Sequence, residues 1–239
     1  MEEKMAKPVF VALDVASKEE LDNLLAQLGD PKETSIKIGM ELFYHLGGEI
    51  VVDLAKKGYN IFLDLKMHDI PNTVYNGAKQ IASLGIKYTT VHALGGSEMI
   101  YAAKTGLVAG TPIGQPVPKL LAVTELTSIS DEILKNEQHC DLPMNEQVIS
   151  LAKMAKKAGA DGVICSPLEV KTLHEKVGDN FLYVTPGIRL QQNTDDDQSR
   201  IATPAQAKIW GSSAIVVGRP ITQAEDPQAV YDMIKKEFN

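Results

Sequence analysis

The sequence predicts a single-domain (β/α)8 barrel, a fold of the α/β class. Short apolar runs and helical patterns alternate eight times along the 239 residues, at roughly 30 residues per unit, a spacing typical of this barrel. At 44% hydrophobic residues, the chain can bury one full core. No glycine-rich dinucleotide fingerprint follows the first apolar run, which disfavours an open doubly wound sheet. We therefore expect one domain over residues 1–239.

Each predicted strand is an apolar run followed by a helix signal or a loop. After the first run, 9–14, Ser17 and Glu20 form a capping box that opens a helix ending near Gly29. The other strands are predicted at 35–40, 61–66, 88–93, 119–126, 162–166, 182–186 and 213–217. Helices are predicted at 71–84, 97–107, 145–158 and 227–238, with a further capping signal at 203–206. Segments 109–118 and 127–143 are predicted to be a loop and a polar segment of unassigned structure.

Charge, hydropathy and cysteine spacing argue against several classes of protein. A net charge of −7 disfavours broad binding of nucleic acid or anionic membranes, since both need a basic face. Residues 1–8 lack the apolar core of a signal peptide, and no apolar run is long enough to cross a bilayer, so we expect a cytoplasmic protein. Cys140 and Cys165 lack metal-ligand spacing, so neither a zinc site nor a disulfide is predicted.

The third strand carries charges at its carboxyl end. Asp64 and Lys66 are two residues apart and should project from the same face, and Asp69 follows just after the strand. Two neighbouring carboxylates favour the protonated form of Lys66, which we interpret as a proton donor. A structural ion pair is the alternative interpretation. Active sites in this fold lie at the carboxyl ends of the strands, which favours the functional one.

Polar residues at the ends of other strands extend this pattern. Asp14 and Lys37 lie in apolar strands, where ionised groups are costly unless they are paired. Together with the charges of the third strand they predict an alternating network at the barrel mouth. Thr124, Thr127 and Ser166 also lie near strand ends, where Thr124 and Ser166 could simply satisfy backbone groups.

His92 is interpreted as a hydrogen-bonded core histidine and is left out of the mechanism, because it lies beside Ala93 and Gly95.

The last two strands indicate a phosphate site. Strand seven leads to Arg189 and strand eight to Gly218 and Arg219. In many barrels a phosphate binds the loops after these strands, where glycine permits close approach of the backbone and arginine clamps the anion. The polar segment 189–200 is predicted to be a mobile lid that closes on the phosphate, with Gln198 as a candidate for a polar contact, although a solvated linker is the alternative.

Residues 64–73, Asp-Leu-Lys-Met-His-Asp-Ile-Pro-Asn-Thr, resemble the signature of the orotidine 5′-phosphate decarboxylase family. Related barrel enzymes share this signature, but further matches run in order along nearly the whole chain, at 13–14, 37–41, 91–93, 126–128, 185–189, 197–198 and 217–219. The resemblance implies decarboxylation of orotidine 5′-phosphate to UMP in de novo pyrimidine biosynthesis, without a metal or an organic cofactor.

The resemblance also implies a role for each matching residue. It implies a homodimer with two sites at the subunit interface, where Asp69 and Thr73 reach into the partner's site. Lys66, Asp64, Asp69 and Lys37 are the implied catalytic residues. The implied substrate contacts are Asp14 and Lys37 to the ribose, Thr127 to the pyrimidine, and Arg189, Gln198, Gly218 and Arg219 to the phosphate.

Three other functions fit parts of the pattern. A related barrel acting on a sugar phosphate through a magnesium-stabilised enediolate would need an acidic residue on strand two, where this chain has Lys37. A Schiff-base aldolase using Lys66 would need an uncharged amine. A catalytically inactive scaffold would have no need of buried ions.

Overall fold

The structure of the chain, a computed structural model, describes residues 6–190 and 201–239. Within these ranges eight parallel strands close into a barrel in chain order, and the last pairs with the first. The strands are β1 (Val9–Ala12), β2 (Ser35–Ile38), β3 (Asn60–Met67), β4 (Tyr88–His92), β5 (Lys119–Val123), β6 (Gly162–Ile164), β7 (Leu182–Thr185) and β8 (Ala214–Val217). The predicted (β/α)8 barrel is confirmed.

Helices surround this barrel. In chain order they are α1 (Lys18–Ala26), α2 (Met40–Lys57), α3 (Pro71–Ala82), α4 (Gly96–Gly110), α5 (Asp131–Asn136), α6 (Met144–Lys157), α7 (Val170–Val177), α8 (Pro204–Trp210), α9 (Arg219–Thr222) and α10 (Pro227–Phe238). The Ser17 side chain caps α1 by accepting from the Glu20 backbone amide, but the Glu20 carboxylate accepts from the Ala16 N–H and does not complete the predicted capping box. At α8, Thr203 and Gln206 make a reciprocal capping box. Among the described residues, no helix combines the length and apolar character needed to span a bilayer.

Four helices lie outside the sequence prediction: α2, α5, α7 and α9. In α2 the pattern is interrupted at Gly47, whose φ of 72° and ψ of −168° mark a kink between two helical stretches. The helix α5 has six residues within the polar segment 127–143, and α9 has only four. Short segments of this kind give little periodicity to recognise.

Alternation along the strands divides the core into two layers. In β1, Val9 and Val11 pack in the large core between the strands and the helices, whereas Phe10 points into the barrel. There Phe10 meets the rings of Phe62 and Tyr88 edge-on, with centroid distances of 5.4 and 5.3 Å. The lower interior of the barrel is therefore a packed apolar floor beneath the mouth.

The strand β3 is irregular where its charged residues begin. Leu63 pairs with Thr89 and Met67 with Val91, so β3 advances four residues while β4 advances two. Within this bulge Lys66 adopts a φ of 50°, in the left-handed region that residues with a Cβ seldom occupy. The bulge places Lys66 outside the regular pleat of the strand.

Candidate active site

A cavity of about 310 Å³ lies at the carboxyl ends of the strands. Apolar side chains, Phe62, Val123, Ile164 and Val216, line part of it. Its lining also includes eight of the eleven residues proposed from the sequence: Asp14, Lys37, Asp64, Lys66, Thr127, Arg189, Gly218 and Arg219. The barrel thus brings together residues that are up to 205 positions apart along the chain, from Asp14 to Arg219.

Two ion pairs line one part of the cavity. The Lys66 Nζ donates to Asp64 Oδ2 at 2.7 Å, and the Lys37 Nζ donates to Asp14 Oδ1 at 2.6 Å. The Lys37 side chain is only 10% exposed, whereas that of Asp14 is 59% exposed. A Cβ at Gly39 would lie 3.2 Å from the Lys37 Nζ, so the absence of a side chain there leaves room for the ammonium. Neighbouring strands β1, β2 and β3 therefore present alternating charges.

The contact between Asp64 and Lys66 does not arise from simple strand alternation. The sequence predicts that the two side chains share a face of a regular strand, but Lys66 lies in the bulge with a positive φ. The Lys66 backbone N–H donates to Thr90 Oγ1 at 2.9 Å, and the Thr90 hydroxyl donates to Asp64 Oδ1 at 2.8 Å. A neighbouring strand therefore takes part in holding both residues.

Asp69 and Thr73 lie apart from this cluster in the single chain. Both are exposed and neither lines the cavity. The Asp69 carboxylate accepts from the Ile70 backbone N–H at 2.6 Å, and Thr73 lies in the first turn of α3. Their assignment to the site of a partner subunit stays a prediction.

The loops after β7 and β8 bring two arginines to the cavity. Arg189 is buried, and its Nη1 donates to the Ile188 carbonyl at 2.9 Å. Two hydrogen bonds with Ala202 hold the backbone of this loop. The Arg189 N–H donates to the Ala202 carbonyl, and the Ala202 N–H donates to the Gly187 carbonyl. Arg219 is exposed at the first position of α9. Because β7 is four strands away from β3 in the closed barrel, Arg189 lies across the mouth from Lys66.

Residues 191–200 of the predicted lid 189–200, including Gln198, lie outside the described residues.

Glu125 is a cavity residue that the sequence reasoning missed. It is only 2% exposed, and its carboxylate accepts from the side-chain amides of Gln138 and Gln147, both at 3.3 Å. The signal was present, because Glu125 is an ionisable residue inside the apolar run 119–126, the same feature that singled out Asp14 and Lys37. This carboxylate connects the end of β5 to the segments that contain α5 and α6.

His92 differs from the hydrogen-bonded core histidine expected from the sequence. Its Nδ1 is buried without a hydrogen-bond partner among the described residues, and its ring stacks on His68 with centroids 5.4 Å apart. Burial lowers the pKa of His92 below its usual value of 6.5, and the nearby His68 and Lys66 lower it further, against an opposing effect of Asp64. The neutral imidazole is thus favoured beside the ion pair.

Within the described ranges, no three His, Cys, Asp or Glu side chains come together as a metal-binding group.

Comparison with known proteins gives one family over nearly the whole chain. The model of the orotidine 5′-phosphate decarboxylase / HUMPS family matches residues 7–234. The chain belongs to this family. The orotidine 5′-phosphate decarboxylase of Lactobacillus acidophilus is 69% identical over 235 residues, covering 98% of this chain and 100% of the relative. That of Halalkalibacterium halodurans is 47% identical, covering 98% and 99%.

The crystal structure of the Lactobacillus acidophilus decarboxylase superposes on this chain with a TM-score of 0.90 at 67% identity, covering 98% of this chain and 99% of that one. The family suggested by the sequence motifs is confirmed, and its similarity extends over the whole barrel.

Proposed function

We propose that this chain decarboxylates orotidine 5′-phosphate to UMP in de novo pyrimidine biosynthesis, in the cytoplasm, without a metal or an organic cofactor. The observation that carries the proposal is the Asp64–Lys66 pair in a cavity that Arg189 and Arg219 also line. Relatives as much as 69% identical over their full length are named for this reaction. The family description names a second group, HUMPS, so the family match does not by itself choose between the two groups. The assignment to the decarboxylase is therefore supported by the individual relatives and by the residues of the site.

The chemical task is to remove CO₂ from C6 of the pyrimidine. When the C–C bond breaks, its electron pair stays on C6, where the ring stabilises it poorly. In this proposal the Lys66 ammonium faces C6 and stabilises the developing negative charge. It then transfers a proton from Nζ to C6, which forms the C–H bond of UMP and leaves a neutral amine that takes a proton from water.

The acidic partner of Lys66 has two roles in the proposal. Asp64 accepts a hydrogen bond from Nζ at 2.7 Å and so holds the ammonium in place before the reaction. It would also lie near the carboxylate of the substrate, where its negative charge disfavours the bound substrate more than the transition state that loses CO₂. Asp14 and Lys37 would contact the ribose hydroxyls from the neighbouring strands.

The phosphate would bind at the other side of the mouth. Arg189, Gly218 and Arg219 line the cavity there, and Thr127 lines it after β5 and would contact the pyrimidine. Binding energy from a remote phosphate can be used to hold the reacting carbon against Lys66. We assign Gln198 to the same phosphate from the resemblance of residues 197–198 to the family.

The proposed enzyme is a homodimer. Asp69 and Thr73 are exposed in the single chain and lie outside the cavity lining, which suits residues that complete a partner's site. In the proposal Asp69 extends the alternating charges of the partner's cavity, and Thr73 contacts the bound nucleotide.

One assay tests the proposed function. The purified protein is mixed with orotidine 5′-phosphate in the presence of a chelator, and the loss of substrate absorbance is followed while the product is identified chromatographically. We expect UMP and CO₂ in equal amounts, at a rate that the chelator leaves unchanged. Absence of turnover, or turnover that stops when divalent metal is removed, would contradict the proposal.

A further inference from the structure

Thr90 closes a ring of hydrogen bonds around the Asp64–Lys66 pair. Its hydroxyl oxygen accepts from the Lys66 backbone N–H at 2.9 Å and its hydroxyl proton goes to Asp64 Oδ1 at 2.8 Å. The ring is completed by Lys66 Nζ, which donates to Asp64 Oδ2 at 2.7 Å. Thr90 itself is fully buried on β4 and does not line the cavity.

The direction of each hydrogen bond follows from the groups involved. A backbone N–H can only donate, so the Thr90 oxygen must accept from Lys66, and its single proton is then free for Asp64. Both oxygens of the Asp64 carboxylate therefore accept hydrogen bonds, one from Thr90 and one from Lys66. This fixes the rotation of the carboxylate as well as its position.

The backbone conformation of Lys66 requires a stabilising contact. In the bulge the pairing of β3 with β4 is interrupted between Leu63 and Met67, and Lys66 has a φ of 50°. This left-handed conformation is unfavourable for a residue with a side chain and persists only when its surroundings fix it. The Thr90 hydroxyl supplies a contact to the amide of this same residue.

We propose that Thr90 is a positioning residue for the decarboxylation proposed above. Its hydroxyl holds the Lys66 backbone in the left-handed conformation and orients the Asp64 carboxylate, so that the Lys66 ammonium faces the substrate carbon. The inference rests on the proposed function for its kinetic consequences, whereas its structural content concerns only the contacts among Thr90, Asp64 and Lys66.

The neighbouring threonine provides a matched control. Thr89 is also fully buried, but its Oγ1 has no hydrogen-bond partner among the described residues. Successive residues of a strand face opposite sides, so Thr89 points away from the barrel interior that Thr90 faces. Replacement of either threonine by valine keeps the shape and removes one hydroxyl.

The experiment compares Thr90→Val, Thr90→Ser and Thr89→Val with the wild-type protein. We expect Thr90→Val to lower kcat for orotidine 5′-phosphate by about 10- to 100-fold, because a small misplacement of a catalytic group has effects of this order. KM and the affinity for UMP should change much less, since Thr90 does not line the cavity. Thr90→Ser, which keeps the hydroxyl, and Thr89→Val should stay close to wild-type kcat.

Three results would overturn the proposal: a Thr90→Val kcat close to wild type, an equal loss in Thr90→Ser, or an equal loss in Thr89→Val. If Thr90→Val does not fold, Thr90→Cys, whose thiol is a weak donor, replaces it with the same expected loss relative to Thr90→Ser.

A crystal structure of Thr90→Val separates this inference from the proposed function. We expect Lys66 to leave its left-handed conformation or the Asp64 carboxylate to rotate away from the Lys66 Nζ. An unchanged Asp64–Lys66 pair would overturn the positioning role, whatever the activity of the wild-type protein. A wild-type protein without decarboxylase activity would instead refute the proposed function, and the crystal structure would still decide the role of Thr90.

Discussion

The lower and upper parts of the barrel interior have opposite chemistry, although the same strands supply both. In β3, Phe62 belongs to the apolar floor, and Asp64, two residues later, lies in the charged mouth. The floor is made of close contacts between apolar groups, such as the edge-on rings of Phe10 and Phe62. The mouth holds two ion pairs, at Asp14–Lys37 and Asp64–Lys66.

This difference separates the residues that we expect to stabilise the fold from those to which we assign the proposed chemistry. Burial of aromatic rings contributes directly to stability. When an ion pair is partly removed from water, the free-energy cost of desolvation offsets much of the electrostatic attraction between the two charges. The ion pairs of the mouth are therefore weak evidence for a stabilising role. We therefore expect changes in the floor to affect mainly unfolding, and changes in the mouth to affect mainly turnover and binding.

The largest expected effect is on turnover, from Lys66→Ala. Loss of the proposed cation and proton donor should lower kcat by at least about 1,000-fold, within the range of general acid and electrostatic catalysis. The melting temperature and the affinity for UMP should remain close to wild type. Steady-state kinetics and UMP titration measure these quantities.

A suitable control for Lys66→Ala is Lys18→Ala, which breaks the exposed Lys18–Asp22 pair of α1. It should leave kcat unchanged, and near wild-type turnover in Lys66→Ala would exclude Lys66 as the donor.

The next effect is on stability, from Phe10→Ala. Removal of this fully buried ring from the floor should lower the free energy of unfolding by about 3–5 kcal/mol. Denaturant unfolding measures the change, with Ile113→Ala on the exposed surface as a control expected to change it by about 0.5 kcal/mol or less. A loss of turnover without a loss of stability would contradict the assigned role of the floor.

A moderate effect is expected on binding, from Arg219→Ala. Hydrogen bonds to a charged group contribute about 1.5–3 kcal/mol, so the affinity for a nucleoside monophosphate should fall by about 10- to 100-fold. The affinity for the corresponding nucleoside, which lacks the phosphate, should change little. Calorimetric titration with both ligands tests the assignment, and equal losses for the two would refute it.

The smallest effect is on the protonation of His92. Because its pKa is lowered in the folded chain, the unfolded chain binds more protons as the pH falls through 6.5. The stabilising contribution of neutral His92 is therefore complete above pH 6.5 and declines below it. An NMR titration of the imidazole should give a midpoint below 6.5 in the folded protein, and a midpoint at or above this value would contradict the effect of burial.

Much of the fold could be predicted because its signals are local. The eight apolar runs match β1 to β8, and the caps at Ser17 and Thr203 mark the starts of α1 and α8. The shared cavity of Asp14, Lys37, Asp64 and Lys66 follows from the same signals, because in this fold the carboxyl ends of all strands meet at one mouth.

The remaining features depend on contacts between distant segments. The left-handed φ of Lys66 arises in the bulge against β4, and its contact with Thr90 depends on a strand register that no local pattern specifies. The hydrogen bonds of Glu125 depend on where Gln138 and Gln147 are placed after the polar segment 127–143. Sequence periodicity carries no information about these placements.

A crystal structure with UMP bound tests the central claim most directly. The account predicts that C6 of the pyrimidine lies against the Lys66 Nζ, and that the phosphate lies within hydrogen-bond distance of Arg219. A nucleotide bound in the reverse orientation, with its phosphate on Lys66 and its base beside Arg219, would contradict the account.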